Sequence, residues 1–278
     1  GVQSVLWSDP VTFCACDEAG GNERMLAVTR RALELLQGQV FTDPPGMTAG
    51  LVPELLAFAR RLLGRADVPQ TFVLNALVPV DFALWQLWNA KRGNGTFDAL
   101  CASFCPELTN REKELGSIPL ITYHTPEDEL HALLEDGAFL LKVKIGSDPE
   151  KNGDPEAMLA WDIGRLRTVH TAAAGFTTPY TECGRPVYYL DANGRYPDRE
   201  FLLRFLDAAD KMDALERIVL LEEPFAGDRP EPVHGLPVRV AGDESAHSAQ
   251  DVARLTWEYG YSAIACKPIA KTLSVTLE

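Results

Sequence analysis

The sequence lacks a long hydrophobic run, a concentration of positive charge and any zinc-type cysteine spacing, and each absence removes a class of function. No stretch approaches the roughly 20 consecutive apolar residues that cross a bilayer, so membrane insertion is not expected. Lys and Arg number 26 against 40 Asp and Glu, a net charge of −14. The basic residues are scattered rather than gathered in a stripe, a balance that opposes a phosphate backbone, and nucleic acid is not an expected partner. Among the six cysteines, Cys14 and Cys16 are spaced for one face of a strand and Cys101 and Cys105 for one turn of a helix. Neither pair has CxxC spacing or nearby histidines, which points to reduced, structural thiols in a cytoplasmic protein. No GxGxxG follows an early strand, so a dinucleotide-binding unit is not expected. The opening GVQSVLWSDP shows no basic segment followed by an apolar one and does not begin with Met. The expectation is a processed, tagged or partial version of a longer chain without a secretory signal.

What is present is the balance of a soluble globular protein, 46% apolar and 24% charged over 278 residues. That length suits one α/β barrel, or a barrel with a smaller partner. The first part reads as mostly helical. Apolar residues recur at helical spacing over 22–37 behind Asn22 as N-cap, then over 52–63 and 80–91, with the turn-forming cluster Asp43-Pro44-Pro45-Gly46 between helices and a short strand near 11–16. After Gly116 short apolar strands alternate with helical stretches, the signature of βαβ units and a parallel sheet. The expected strands are 119–123, 139–145, 187–190, 217–221, 238–241 and 263–267, with helices such as 126–134 and 198–209 between them. This order fits either a doubly wound sheet or most of a (β/α)8 barrel that the chain is too short to close.

The polar residues after the strands carry the chemistry. They are Lys142-Val143-Lys144, Asp191-Ala192-Asn193, Glu222-Glu223-Pro224, Asp243-Glu244-Ser245 and Lys267-Pro268. All fall at C-terminal strand ends, where the loops of such folds converge over the site. Asp191, Glu222 and Asp243 from consecutive strands form an oxygen-only donor set of the kind that selects Mg2+, with Mn2+ as a second candidate. Singly each feature is ordinary: a carboxylate after a strand is often a helix N-cap, and Lys142 and Lys144 on one strand face can simply snorkel. Lys267 follows the apolar run Ala263-Ile264-Ala265-Cys266 and needs a carboxylate partner or a lowered pKa there.

Taken in strand order, LKVKIG, YLDANG, LEEPF, AGDES and CKP resemble the enolase superfamily and, within it, the muconate-lactonizing-enzyme-like subgroup of the mandelate racemase/muconate lactonizing enzyme family. The stretches VDFALWQLWNAKRGNGTF and TPEDELHALLEDGAFLLKVKIG extend the resemblance over nearly the whole chain. It implies a modified (β/α)8 barrel behind an N-terminal α+β capping domain, the cap at 1–115 and the first six strands at 116–278. The seventh and eighth strands and the capping-domain specificity loop are then missing from this sequence. The segment 172–184 is longer than the family's crossover and is expected to be a surface loop or part of an oligomer contact.

The resemblance also implies metal ligands Asp191, Glu222 and Asp243, acid/base residues Lys144 and Lys267 on opposite faces of the substrate, and Lys142 and Asn193 on the substrate. Lys142 would hold the substrate carboxylate or lower the pKa of Lys144. The implied chemistry is removal and return of the proton α to a carboxylate, through an enediolate stabilised by Mg2+ and ammonium groups, a pattern taken from the superfamily. Crowding by cations is expected to lower the lysine pKa values. A lysine rather than a His–Asp pair on the sixth strand points away from the mandelate-racemase arrangement. The expected activity is a Mg2+-dependent racemase or epimerase acting on a small-molecule carboxylate such as an amino-acid derivative or dipeptide, in a homo-oligomer. Alternatives are a dehydratase or a cycloisomerase, muconate-lactonizing or o-succinylbenzoate-synthase-like, at the same site, or a barrel that keeps the metal without catalysis.

Overall fold

A computed structural model describes residues 21–93, 95–106 and 112–278. The expected strand at 11–16, with Cys14 and Cys16, lies outside them, as does the side chain of Cys101. Among the described cysteines, Cys183 and Cys266 are exposed free thiols. The chain divides into two compact units, Gly1–Lys113 with His247–Ala249 and Cys266–Glu278, and Glu114–Ala246 with Gln250–Ala265.

The second unit is built on a six-stranded sheet of order β1-β2-β3-β4-β5-β6. The strands are Leu120–Ile121, Leu140–Lys144, Val187–Asp191, Ile218–Glu222, Val240–Gly242 and Ala263–Ile264, and every pairing is parallel. A doubly wound sheet reverses direction at a switch point. Here each strand pairs with the next in sequence, which is the progression of a (β/α) barrel. Helices α5 (Glu127–Glu135), α6 (Pro155–Ala172) and α7 (Arg199–Lys211) separate the early strands, and α8 (Ala249–Arg254) runs into a π-helical turn at Leu255–Tyr259. Alternation places each strand residue. In β2, Leu141 and Val143 are fully buried in the cluster that includes Leu130, Leu166 and Leu190, whereas Lys142 and Lys144 on the other face are half-buried. The loop over 176–184 closes on itself through Thr178 N–H to Gly184 O at 3.0 Å and Thr181 Oγ1 to Arg185 O at 2.7 Å.

Helix α6 fills the place between β2 and β3 where the alternation of strands and helices calls for one, although its range carries no clear period in the sequence. Its buried face is Met158, Leu159, Asp162, Leu166 and Val169, and a carboxylate in the middle of that stripe hides the helical period. Asp162 earns its place by accepting from Gly146 N–H at 2.9 and 2.8 Å, Ser147 N–H at 3.3 Å and Tyr196 Oη–H at 2.9 Å. It therefore fixes the loop that leaves β2. Gly146 there has φ +78°, and a Cβ would meet Ala192 O at 2.8 Å, so only glycine fits.

The first unit is helical over its described residues: α1 (Gly21–Leu36), α2 (Pro44–Leu63), α3 (Gln70–Arg92), α4 (Phe97–Phe104), α9 (Pro268–Lys271) and α10 (Leu273–Leu277). Asp43-Pro44-Pro45-Gly46 is a helix start rather than a connecting turn, since Asp43 caps α2 by accepting from Gly46 N–H at 2.8 Å with the prolines in the first turn. Helix α3 begins ten residues earlier than the expected 80–91, because Thr71 to Val78 are buried all round and carry no periodicity. This helix is long and apolar enough to cross a membrane by composition, yet 67% of the relevant window is buried inside the protein. It is the core helix of this unit. Its buried Asp81 accepts from Thr48 Oγ1 at 2.7 Å, Leu273 N–H at 2.9 Å, Ser274 N–H at 3.1 Å and the Ser274 hydroxyl.

Two stability measurements follow from these buried acids. Asp81→Ala strands those donors in the core and lowers the unfolding free energy by about 2–4 kcal/mol in urea titrations, given the cost of buried unpaired donors. Burial pushes the Asp162 carboxyl up to about 6, against the opposing pull of its hydrogen bonds and of Arg195. The folded protein then holds this proton more tightly than the unfolded chain, so Asp162 makes stability fall as pH rises from about 4 to about 6, with no further change above. The stability difference between the natural protein and Asp162→Asn is expected to shift by up to about 3 kcal/mol over that window, and a flat difference contradicts the burial argument.

Candidate active site

The in-register pairing of three strands builds the site. Lys144 pairs with Asp191 and Lys142 with Tyr189 between β2 and β3, and Asp191 pairs with Glu222 between β3 and β4. Paired residues of parallel strands share a face, so Lys142, Lys144, Tyr189, Asp191 and Glu222 project to the same side. Glu222 pairs with Ala241 on β5. Asp243, two residues further on, falls on that side by the period of the strand and adds its charge to the surroundings of the Tyr189 phenol.

The carboxylates are almost wholly buried, with Asp191 1%, Glu222 0% and Asp243 2% exposed. Buried ionised acids require cationic partners. Lys142 Nζ lies 2.9 Å from Asp191 Oδ2 and donates to Glu222 Oε2, while Lys144 Nζ lies 2.8 Å from Asp191 Oδ2. Burial opposes ionisation of Asp191, but Lys144 and Lys142 outweigh it and hold the carboxyl below its usual range. Burial likewise opposes the Lys142 ammonium, and Asp191 with Glu222 outweighs it and raises the pKa. That reverses the expected lowering for Lys142, because its nearest charges are carboxylates rather than cations. The Tyr189 ring lies under the same ammonium, 4.7 Å from Nζ.

The turns after the strands hold this row in place. Asn193 adopts φ 46° and Glu223 φ 40°, left-handed conformations that non-glycine residues adopt at a cost. Asn193 Oδ1 accepts from Lys144 Nζ at 2.5 Å, its Nδ2 donates to Glu244 Oε1 at 3.0 Å, and its N–H reaches Asp191 Oδ1 at 3.2 Å. Glu223 is fully buried and accepts through Oε2 from the Asp243 N–H and from Ser245 Oγ at 2.9 Å. Burial, with the Glu244 carboxylate adding to it, pushes the Glu223 carboxyl up to about 8.

Of the residues singled out in the sequence, the structure brings Lys142, Lys144, Asp191, Asn193 and Glu222 into one bonded cluster, with Asp243 at the next strand end. Lys267 belongs to the first unit, at the N-cap of α9. The clamp formed by Glu223, Glu244 and Ser245 has no distinct signal in the sequence, where these residues merely follow the candidate ligands. Tyr189 is not among the residues singled out in the sequence; its two-residue spacing from Asp191 is the signal that places it on the same face.

The donor chemistry of Asp191, Glu222 and Asp243, all oxygen and all at adjacent strand ends, fits a hard divalent cation. As the side chains stand, no group of three His, Cys, Asp or Glu residues among the described residues is gathered closely enough to hold one. The ammonium of Lys142 lies between Asp191 and Glu222 instead, and seating a metal ion there requires it to withdraw.

No protein-family model and no curated protein matches the sequence. Solved structures do match. A mandelate racemase/muconate lactonizing enzyme from Bordetella bronchiseptica RB50 superposes with a TM-score of 0.61 at 20% identity, covering 94% of this chain and 63% of that one. A mandelate racemase/muconate lactonizing protein from Herpetosiphon aurantiacus gives 0.56 at 23% identity, covering 90% and 60%. A dipeptide epimerase from Enterococcus faecalis V583, complexed with Mg and the dipeptide L-Leu-L-Tyr, gives 0.56 at 16% identity, covering 90% and 61%. The chain thus spans about three fifths of the length of these structures. At these identities the likeness is one of fold, and the chain has the α/β-barrel fold of the mandelate racemase/muconate lactonizing enzymes that its strand-end motifs resemble.

Proposed function

We propose that this chain belongs to the muconate-lactonizing-enzyme-like subgroup of the enolase superfamily, and that it is a Mg2+-dependent racemase or epimerase exchanging the proton α to a substrate carboxylate. The observation that carries the reading is the row Lys144, Asp191, Lys142 and Glu222 across three strands, in which both lysines bind Asp191 and Lys142 bridges it to Glu222. Asp191, Glu222 and Asp243 are the residues that would hold the ion. When bound, Mg2+ supplies positive charge against the substrate carboxylate, where the negative charge of an α-carbanion accumulates.

The chain's own residues do the rest. Lys144, oriented by Asn193 Oδ1 and Asp191, is assigned the α-proton at Nζ. Lys142, released from its place between the two acids, supplies an ammonium to the substrate carboxylate, and Asn193 contributes to holding the substrate. Lys267 is assigned the proton on the other face of the α-carbon, an assignment that rests on the CKP motif. A second lysine makes inversion at the α-carbon feasible. An amino-acid derivative or dipeptide is the favoured substrate, in keeping with the dipeptide bound by the Enterococcus epimerase.

The deciding experiment incubates N-acylamino acids and dipeptides with the protein and Mg2+ in deuterated solvent. Deuterium at the α-carbon of both stereoisomers supports racemisation or epimerisation, whereas an unsaturated or lactone product replaces it with dehydration or cycloisomerisation. Lys144→Ala is expected to reduce exchange by about 10^2 to 10^4, the usual contribution of a general base. Full exchange by that variant removes Lys144 from the mechanism.

A second measurement needs no turnover. In EDTA, Lys142→Met leaves Asp191 and Glu222 short of positive charge and should melt below the natural protein. Saturating Mg2+ should narrow that gap as the ion supplies the missing charge. An equal gap with and without Mg2+ contradicts the shared place of ammonium and metal.

A further inference from the structure

The loops that follow β1, β2 and β3 enclose a cleft of about 810 Å3 in the second unit. That is within the roughly 300–1,000 Å3 of small-molecule sites. Its lining does not draw on Lys142, Lys144 or the strand-end carboxylates. It is formed by Tyr123 after β1, the 146–155 loop after β2, Arg195 after β3, and Met158 and Trp161 of α6.

The walls divide by chemistry. Trp161 stands edge-on to Tyr123, with ring centroids 5.5 Å apart at 73°. With Met158 and prolines of the loop, the pair gives an apolar, aromatic side. The acids that line the cleft are committed to holding the loop: Asp148 accepts from Asn152 N–H at 3.2 Å and Gly153 N–H at 3.0 Å, and Asp154 caps α6 by accepting from Glu156 N–H at 2.9 Å.

Arg195 is different. Its Nη1 donates to two neutral oxygens, Tyr123 Oη at 2.9 Å and Gly146 O at 3.0 Å. Among the described residues Nε and Nη2 have no hydrogen bond, and no acid lies within ion-pair distance of the guanidinium. Its charge acts on the buried Asp162 carboxyl only through space, and its Cζ lies 5.6 Å from the Tyr123 ring centroid. In a chain of net charge −14, a half-buried guanidinium with no ion pair leaves Nε and Nη2 as a fork of the geometry that binds a carboxylate through two N–H groups. Lys151, also without an ion pair among the described residues, adds a second positive charge on the loop.

We propose that this cleft binds a small carboxylate with an aromatic body, its carboxylate on Arg195 and its ring against Trp161 and Met158. The site is distinct from the lysine and carboxylate row but adjoins it through the backbone. Arg195 holds Gly146 O, Tyr123 Oη holds Ile145 O at 3.0 Å, and Ile145 N–H bonds Asp191 O at 2.9 Å. A ligand on Arg195 thus bears on the segment directly after Lys144.

The test is a ligand-observed 19F NMR titration of the full chain with 4-fluorophenylacetate, in EDTA so that no divalent ion contributes. Saturable binding with a Kd of about 1 mM or tighter is expected, with 4-fluorobenzyl alcohol at least roughly tenfold weaker because it lacks the charge. Arg195→Met and Trp161→Ala should each weaken the acid by about tenfold or more, and Lys144→Met should leave it unchanged. Circular dichroism melts establish that the variants are folded, and if Arg195→Met is not, Trp161→Ala decides. Absence of saturation up to about 10 mM, equal binding of acid and alcohol, retention by the folded variants, or loss in Lys144→Met each overturns the proposal.

Discussion

Buried negative charge at the ends of adjacent strands is the constraint on which the rest of the second unit depends. Asp191 and Glu222 are neighbours in register and nearly without solvent, an arrangement that is stable only with cations among them. Lys142 and Lys144 supply two. At an effective dielectric of about 20, unit charges some 4 Å apart interact by on the order of 4 kcal/mol, much of it offset by the cost of leaving water. What the cluster secures is register. A one-residue slip of β2 would send both lysines under the helices and Leu141 and Val143 into the polar face.

That demand explains the unusual local structure around the strand ends. Positive φ at Asn193 and Glu223 turns the chain so that one side chain binds Lys144 and the other binds the Asp243 turn. Asp162 does the equivalent for the loop after β2 from the buried face of a helix. Polar side chains in the interior are here the means by which loops are tied to the sheet. They also account for Glu223 and Asp162 being held well above the usual carboxylate range, since their donors offset only part of the burial cost.

The legibility of the sequence varied with the strength of its periodicity. Each of the six strands overlaps its expected span, because apolar runs bounded by turn residues are visible in one dimension. Helix α7 is equally plain, with a single apolar stripe behind Asp198. The alternation of strands called for a helix where α6 stands, but its bounds were hidden by the carboxylate on its buried face. The first half of α3 was hidden by burial on all sides, and the start of α2 by prolines that read as a turn but serve as a first helical turn. In each case the feature that misleads is one that tertiary surroundings make acceptable.

By itself the sequence placed three lysines and three carboxylates at or near the ends of successive strands, because alternation and strand order are local properties of the chain. Strand order alone left a doubly wound sheet and a barrel both open and the family resemblance implied the barrel; the tertiary structure shows it, since the choice lies in which strands pair. The tertiary structure alone showed Lys142 lodged between Asp191 and Glu222 with a raised pKa, and Glu223, Glu244 and Asn193 tied into the same network. Such roles depend on distances of about 3 Å between residues dozens of positions apart, and contact of that kind has no trace in spacing along the chain.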